Sequence, residues 1–182
     1  MSTSSFKPVP AEPVSEKDGL IHGISAAELQ VLGQECLDAR EKAYCPYSLF
    51  HVGASILVHP SASPSSTSTT PTIITGANVE NAAYPVGTCA ERVAMGTAIV
   101  SGHKRFKAVG VATKMDDYCS PCGMCRQFLR EFLDLNVPIF MFNNQGKFIV
   151  RTMEELLPLS FGPDALPPRE KPKVQDGEAK KT

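Results

Sequence analysis

Apolar and polar positions change period several times along the chain, and each change marks an element. Ser25-Ala26-Ala27-Glu28 is a capping-box pattern, and beyond it Leu29, Leu32, Cys36 and Leu37 share one face of a helix reaching about Lys42. From Phe50 the period drops to two. Phe50, Val52, Ala54, Ile56 and Val58 alternate with His51, Gly53, Ser55, Leu57 and His59, which predicts a strand. A second strand is expected over 72–79, paired with the first as a long hairpin, and then a helix over 89–101 that Gly102 stops. Residues 106–112 (FKAVGVA) predict a strand and 121–133 a helix. Short strands over 138–142 and 147–151 flank the turn-rich Asn143-Asn144-Gln145-Gly146, and a last helical turn over 153–157 ends at Pro158. This alternation of strands and helices predicts an α/β fold, a three-layer α/β/α sandwich around a mixed sheet of about five strands.

Three stretches lack such periodicity. Residues 1–19 and 164–182 are rich in Pro, Ser and charge and read as disordered tails, and 60–71 (PSASPSSTSTTP) reads as a flexible surface loop. One folded domain is left, over 20–163, in keeping with a length of 182 residues.

Composition narrows the function classes. Eighteen Lys and Arg against nineteen Asp and Glu give a net charge of −1. That balance provides no general attraction to polynucleotides or anionic lipid, so a dedicated nucleic-acid binder is disfavoured. No run approaches the ~20 apolar residues of a membrane span, and the first twenty residues lack the apolar stretch of a secretory signal. A cytoplasmic location is expected, in which the six cysteines act as thiols or metal ligands rather than as disulfides.

The cysteines carry the chemistry. Ser120-Pro121-Cys122-Gly123-Met124-Cys125 reads as a helix start with Ser120 as N-cap and Pro121 as first residue, which puts Cys122 and Cys125 in one turn, three apart. Cys89 lies at the start of the preceding helix, in Thr88-Cys89-Ala90-Glu91-Arg92. Two converging helix N-termini would gather three thiolates round one ion, with the helix dipoles favouring the ionised sulfur. Three protein ligands leave a fourth tetrahedral position for water, and Glu91 is placed to move its proton. Arg92 could donate to thiolate sulfur and withdraw part of the site's negative charge.

Cys-Ala-Glu-Arg followed by Pro-Cys-x-x-Cys resembles the zinc-dependent cytidine deaminases, and 45–55 (CPYSLFHVGAS), 76–84 (GANVENAAY) and 155–163 (ELLPLSFGP) are similar to the same family in the same order. The resemblance implies zinc-dependent hydrolytic deamination of cytidine and deoxycytidine to uridine and deoxyuridine, with release of ammonia, in pyrimidine salvage. It implies one zinc per subunit on Cys89, Cys122 and Cys125, and Glu91 as the carrier of a proton to ring N3 while hydroxide attacks C4. It further implies ribose contacts from Asn78 and Glu80, Phe50 packing near the base, a base-carbonyl contact from the Ala90 backbone, and Tyr84 in the pocket wall. Phe161 resembles an aromatic that reaches a neighbouring subunit's site, and three cysteines in place of a first-position histidine go with homotetramers.

Other readings of these residues exist. Thr88-x-x-Glu91 is itself a capping box, and Arg92 could be a solvated helix residue. Asn78 could be a turn residue, Glu80 a solvent-facing charge, Phe50 core, and Phe161 a cover over a core edge. Cys119 could complete a closed four-thiolate structural site. Together with Cys122 and Cys125 it also opens a ferredoxin-like run, which fails because Leu129-Arg130 stand where Cys-Pro is required. Within the enzyme class, a blasticidin-type nucleoside is the alternative substrate, and the chain shows no cationic clamp for a nucleotide phosphate.

Overall fold

The computed structural model describes residues 6–60 and 71–167. Among them are strands β1 (Val9–Pro10), β2 (Glu16–Lys17), β3 (Leu20–Ile21), β4 (Val52–Val58), β5 (Ile73–Ala77), β6 (Phe106–Thr113), β7 (Pro138–Phe142) and β8 (Lys147–Thr152). The helices are α1 (Ala26–Arg40), α2 (Ala90–Val100), α3 (Gly123–Arg130) and α4 (Met153–Leu156). One mixed sheet runs β1-β8-β7-β6-β4-β5, with β1/β8 and β6/β7 parallel and the other pairs antiparallel. It therefore has six strands rather than about five, because β1 adds an edge.

The capping box at the start of α1 forms in both directions, Ser25 to the Glu28 N–H and Glu28 to the Ser25 N–H. Leu29, Leu32 and Cys36 then pack on one sheet face against Leu57, Ala108, Ala112, Phe140, Phe142 and Phe148. The other face carries α2, α3 and α4, whose Ala90, Ala94, Met95, Leu129, Met153 and Leu156 meet Ala54, Ile56, Val109, Val111, Ile139 and Met141. Since β4 has a helical layer on both sides, Ile56 and Leu57 are equally buried, and its alternation has no polar face.

Two glycines set how close the helices come. A Cβ on Gly53 would lie 2.1 Å from the Cys36 carbonyl oxygen of α1, and one on Gly76 would lie 2.4 Å from the Ala94 nitrogen of α2. Neither position accommodates a side chain unless backbone moves.

The disordered tail expected over 1–19 is not what residues 6–19 form. Phe6 stacks edge-on against Phe142 with ring centroids 6.3 Å apart, β1 pairs with β8, and Glu12 forms an ion pair with Arg151. Asp18 and Gly19, both at positive φ, turn the β2–β3 hairpin in the manner of a type I′ turn. The physical reason is that the segment supplies an aromatic side chain and edge hydrogen bonds to a sheet whose β8 would otherwise be unpaired on that side. At the other end, the chain stays attached as far as Asp164, which Arg130 holds at 2.9 Å. The expectations for 1–5, 61–70 and 168–182 lie outside the described residues.

Candidate active site

The N-termini of α2 and α3 meet on one side of the sheet. Cys89 is the N-cap of α2 and Cys122 the N-cap of α3, both with extended backbone, and neither side chain caps its own helix. The helix expected to open at Ser120 and Pro121 thus begins two residues later. The Pro121 carbonyl accepts from the Arg126 side chain at 2.8 Å, which holds 120–121 outside the helix. Cys125 falls in the first turn of α3 and is fully buried.

The Cys122 and Cys125 sulfurs are 3.5 Å apart, Cys89 and Cys122 are 3.9 Å apart, and all three lie within 4.8 Å of one another. A tetrahedral zinc with Zn–S bonds of about 2.3 Å requires S···S edges of about 3.8 Å, so the donor set fits that ion. Hydrogen bonding from the Cys125 thiol, reinforced by Arg92 and Cys122, pulls the Cys89 thiol down to about 5 despite its partial burial. The same bond to Cys89, together with burial, pushes Cys125 up. Sulfurs this close cannot all ionise unless a cation joins them.

Cys119 stands apart. Its Sγ donates to the Ser120 carbonyl at 3.8 Å, and among the described residues the metal-competent group is Cys89, Cys122 and Cys125 alone. The closed four-thiolate arrangement is not formed among the described residues, and an ion held by these three sulfurs would keep a fourth tetrahedral position for another donor.

Glu91 lies in the first turn of α2 and is buried, with 4% of its surface exposed. Because the N-cap is Cys89 and not Thr88, the capping box that could have explained Glu91 does not exist. Burial pushes its carboxyl above the ordinary range and the Cys89 thiolate adds to this, against hydrogen bonds from its own N–H and Cys125. Arg92 Nη2 lies 3.9 Å from Cys89 Sγ and 3.4 Å from the Gly87 carbonyl, so its guanidinium faces the sulfur cluster rather than solvent alone.

A short backbone ladder brings the other singled-out segments to this place. Val79 bridges Thr88 in both directions at 2.9 Å, while the Tyr44 N–H donates to the Asn78 carbonyl at 3.0 Å and the Glu80 N–H to the Tyr44 carbonyl at 2.7 Å. Asn78 Oδ1 accepts from the Val52 N–H and its Nδ2 donates to the Phe50 carbonyl, both at 2.8 Å. The Glu80 carboxylate accepts from the Tyr47 and Ser48 N–H groups at 2.9 and 3.2 Å and from the Ser48 hydroxyl, which holds it below the usual carboxylate range. Both side chains therefore organise 47–52. Nothing in their residue types announced this, since the bonds depend on which strands are neighbours. Phe50 is 38% exposed, and Tyr84, at 70%, packs its ring 5.8 Å from that of Tyr47. Ala90 is fully buried at the first position of α2, where helix N–H groups have no intrahelical partner. Phe161 is tied to α3 through its carbonyl, which accepts from Gln127 at 2.9 Å, and the residue is 62% exposed.

Known proteins were compared with this chain. The family model described as the cytidine and deoxycytidylate deaminase zinc-binding region matches residues 27–141. The chain belongs to this family. A cytidine deaminase from Sporosarcina psychrophila is 37% identical over 139 residues, covering 76% of this chain and 95% of that protein. The crystal structure of cytidine deaminase from Burkholderia pseudomallei superposes with a TM-score of 0.63 at 34% identity, over 72% of this chain and 97% of that one. A blasticidin-S deaminase from Bacillus cereus is 34% identical over 120 residues, covering 61% of this chain and 76% of that protein. The deaminase family's metal is zinc, and in this member the three cysteines are the donor set that suits it.

Proposed function

We propose that the protein deaminates cytidine and deoxycytidine hydrolytically, giving uridine and deoxyuridine with release of ammonia, in pyrimidine salvage. The observation that carries this reading is a buried carboxyl, Glu91, beside three cysteine sulfurs gathered at two helix N-termini with Cys119 turned away from them. Cys89, Cys122 and Cys125 would hold the zinc, which when bound would supply the acidity that turns a water into a nucleophile near neutral pH. Glu91 would take one proton of the attacking water on its carboxylate and deliver it to ring N3 as the C4–O bond forms, then take the proton of the new C4 hydroxyl and give it to the departing amine as the C4–N bond breaks. A carboxyl pushed upward by burial suits such two-way traffic, because it holds a proton more readily than a solvated carboxylate does. Arg92 draws charge from Cys89 Sγ and so restores acidity that three anionic ligands would remove.

Phe50 and Tyr84 supply apolar walls for the base, the Ala90 N–H meets its carbonyl, and Asn78 and Glu80 turn their remaining hydrogen-bonding capacity to the ribose hydroxyls. Phe161 is exposed, as are Tyr44, Leu49, Val86 and Leu159, and apolar side chains left in solvent support assembly as a homotetramer in which Phe161 enters a neighbouring subunit's site. Six free cysteines, three of them ligands, suit the reducing cytoplasm. Among the described residues no helix is long and apolar enough to cross a membrane.

The test is ultraviolet turnover of cytidine, deoxycytidine, cytidine 5′-monophosphate and blasticidin S by purified protein whose zinc content has been measured. Turnover of both nucleosides but not the monophosphate is the expected result. Comparable turnover of the monophosphate refutes the substrate class. The Bacillus cereus relative makes blasticidin S the second reading, which prevails if that nucleoside alone reacts.

A further inference from the structure

Arg126 follows directly after Cys125, and its side chain runs back along α3 past the start of the helix. Nε donates to the Pro121 carbonyl, Nη2 to the Ser120 hydroxyl and Nη1 to the Leu156 carbonyl, each at 2.8 Å. One planar guanidinium thus reaches three acceptors on two segments. Two of these acceptors belong to the residues just before Cys122. Pro121 has no N–H to offer a neighbouring strand or turn. Leu156, the third acceptor, is firmly placed. It ends α4, a turn opened by a complete Thr152–Glu155 capping box and seated in the core through Met153 and Leu156 itself.

We propose that Arg126 is a positioning residue for the metal centre, fixing the approach to Cys122 against α4 so that this thiolate is oriented before the ion arrives. The proposal rests on the reading that Cys89, Cys122 and Cys125 hold zinc, and it adds a residue that touches neither the ion nor substrate. Its contribution is to limit the movement of an N-cap sulfur that sits outside the helical ladder. Residues that orient metal ligands typically change metal affinity or activity 10–100-fold when removed.

Zinc-loaded wild type, Arg126→Gln, Arg126→Lys and Arg130→Gln are challenged with excess chromogenic chelator, and the rate of zinc release is followed. Arg130 is one turn further along α3 and holds Ser160 at 3.0 Å and Asp164 at 2.9 Å, so its variant reports general loosening of the same helix. Arg126→Gln is expected to release zinc about 10–100-fold faster, with kcat reduced and KM for cytidine within about twofold. Arg126→Lys also releases faster, because one ammonium cannot reproduce the three-way planar fork. Arg130→Gln lowers the melting temperature but keeps the wild-type release rate. The cobalt-substituted Arg126→Gln protein shows altered thiolate-to-metal absorption, a signature that loss of stability alone does not produce. Release by both Arg126 variants within twofold of wild type, or equal acceleration by Arg130→Gln, overturns the proposal. If Arg126→Gln does not fold, Arg126→Lys against Arg130→Gln decides it by the same criteria. Less than one zinc per wild-type chain refutes the metal reading separately.

Discussion

Gly76 touches neither ligand nor substrate, yet Gly76→Ala should damage catalysis. The added methyl would sit 2.4 Å from the Ala94 nitrogen, 2.7 Å from the Ala90 carbonyl oxygen and 2.9 Å from the Ala94 Cα, all backbone of α2. Ordinary contact begins at 3.4 Å, so the strand and helix must separate by about 1 Å, with no flexible side chain to absorb the strain. The helix that moves carries Cys89 and Glu91. Alanine in a strand normally gains about 0.5–1 kcal/mol over glycine. Overpacking against backbone costs about 1–3 kcal/mol, which leaves a net loss of about 1–2 kcal/mol in urea titration. A displacement of about 1 Å at a reacting group lowers turnover about 10²-fold. Gly53→Ala is the comparison, since its methyl meets the backbone of α1, a helix on the opposite sheet face that supplies no site residue. It should lose stability and keep kcat per folded, zinc-loaded molecule. β5 is an edge strand paired only with β4, and it could yield instead of α2. A folded Gly76→Ala protein with kcat within twofold of wild type would show that it does and refute the reasoning.

Glu91→Gln should keep one zinc per chain and lose at least ~10² in kcat, as read by ultraviolet turnover and metal analysis, and retention of a tenth of wild-type rate refutes the assignment. The same pair in zinc-free form tests linkage. The Glu91 carboxyl is raised by burial above its ordinary value of 4.5, so wild type loses stability as pH rises from 4.5 through the folded-state value. Glu91→Gln does not, and urea midpoints should coincide below pH 4.5 and diverge above it in favour of the variant. Cys119→Ser should leave zinc stoichiometry and kcat unchanged, whereas loss of zinc would restore the closed-site reading. Deleting residues 2–12 should lower stability by about 2 kcal/mol through loss of Phe6 burial and bare the β8 edge, seen as a lower melting temperature and concentration-dependent association.

Local signals were legible where local physics decides. Ser25 and Glu28 formed their box, alternation over 50–59 gave β4, which spans the shorter Val52–Val58, and cysteine spacing singled out the sulfur cluster. The start of α3 differs from the sequence expectation because Ser120 and Pro121 satisfy helix-entry chemistry that Arg126 overrides from five and six residues away. The N-terminal strap was hidden by its proline-rich composition, although Asp18-Gly19 carried a hairpin signal and Phe6 an anchoring ring. The clamps made by Asn78, Glu80 and Arg126 could not be read, since their acceptors and donors become neighbours only once the sheet has ordered.

The ladder from Tyr44 through Asn78, Val79 and Glu80 to Thr88 has a kinetic consequence. Each of these segments lends its amides to the next, so none can open to solvent without releasing its neighbour. In hydrogen–deuterium exchange the amides of Tyr44, Val79, Glu80 and Thr88 should lose protection at one common rate, as a single opening unit. A pocket rim that opens only as a whole is already shaped before substrate arrives, and a nucleoside enters a formed cleft without having to order one.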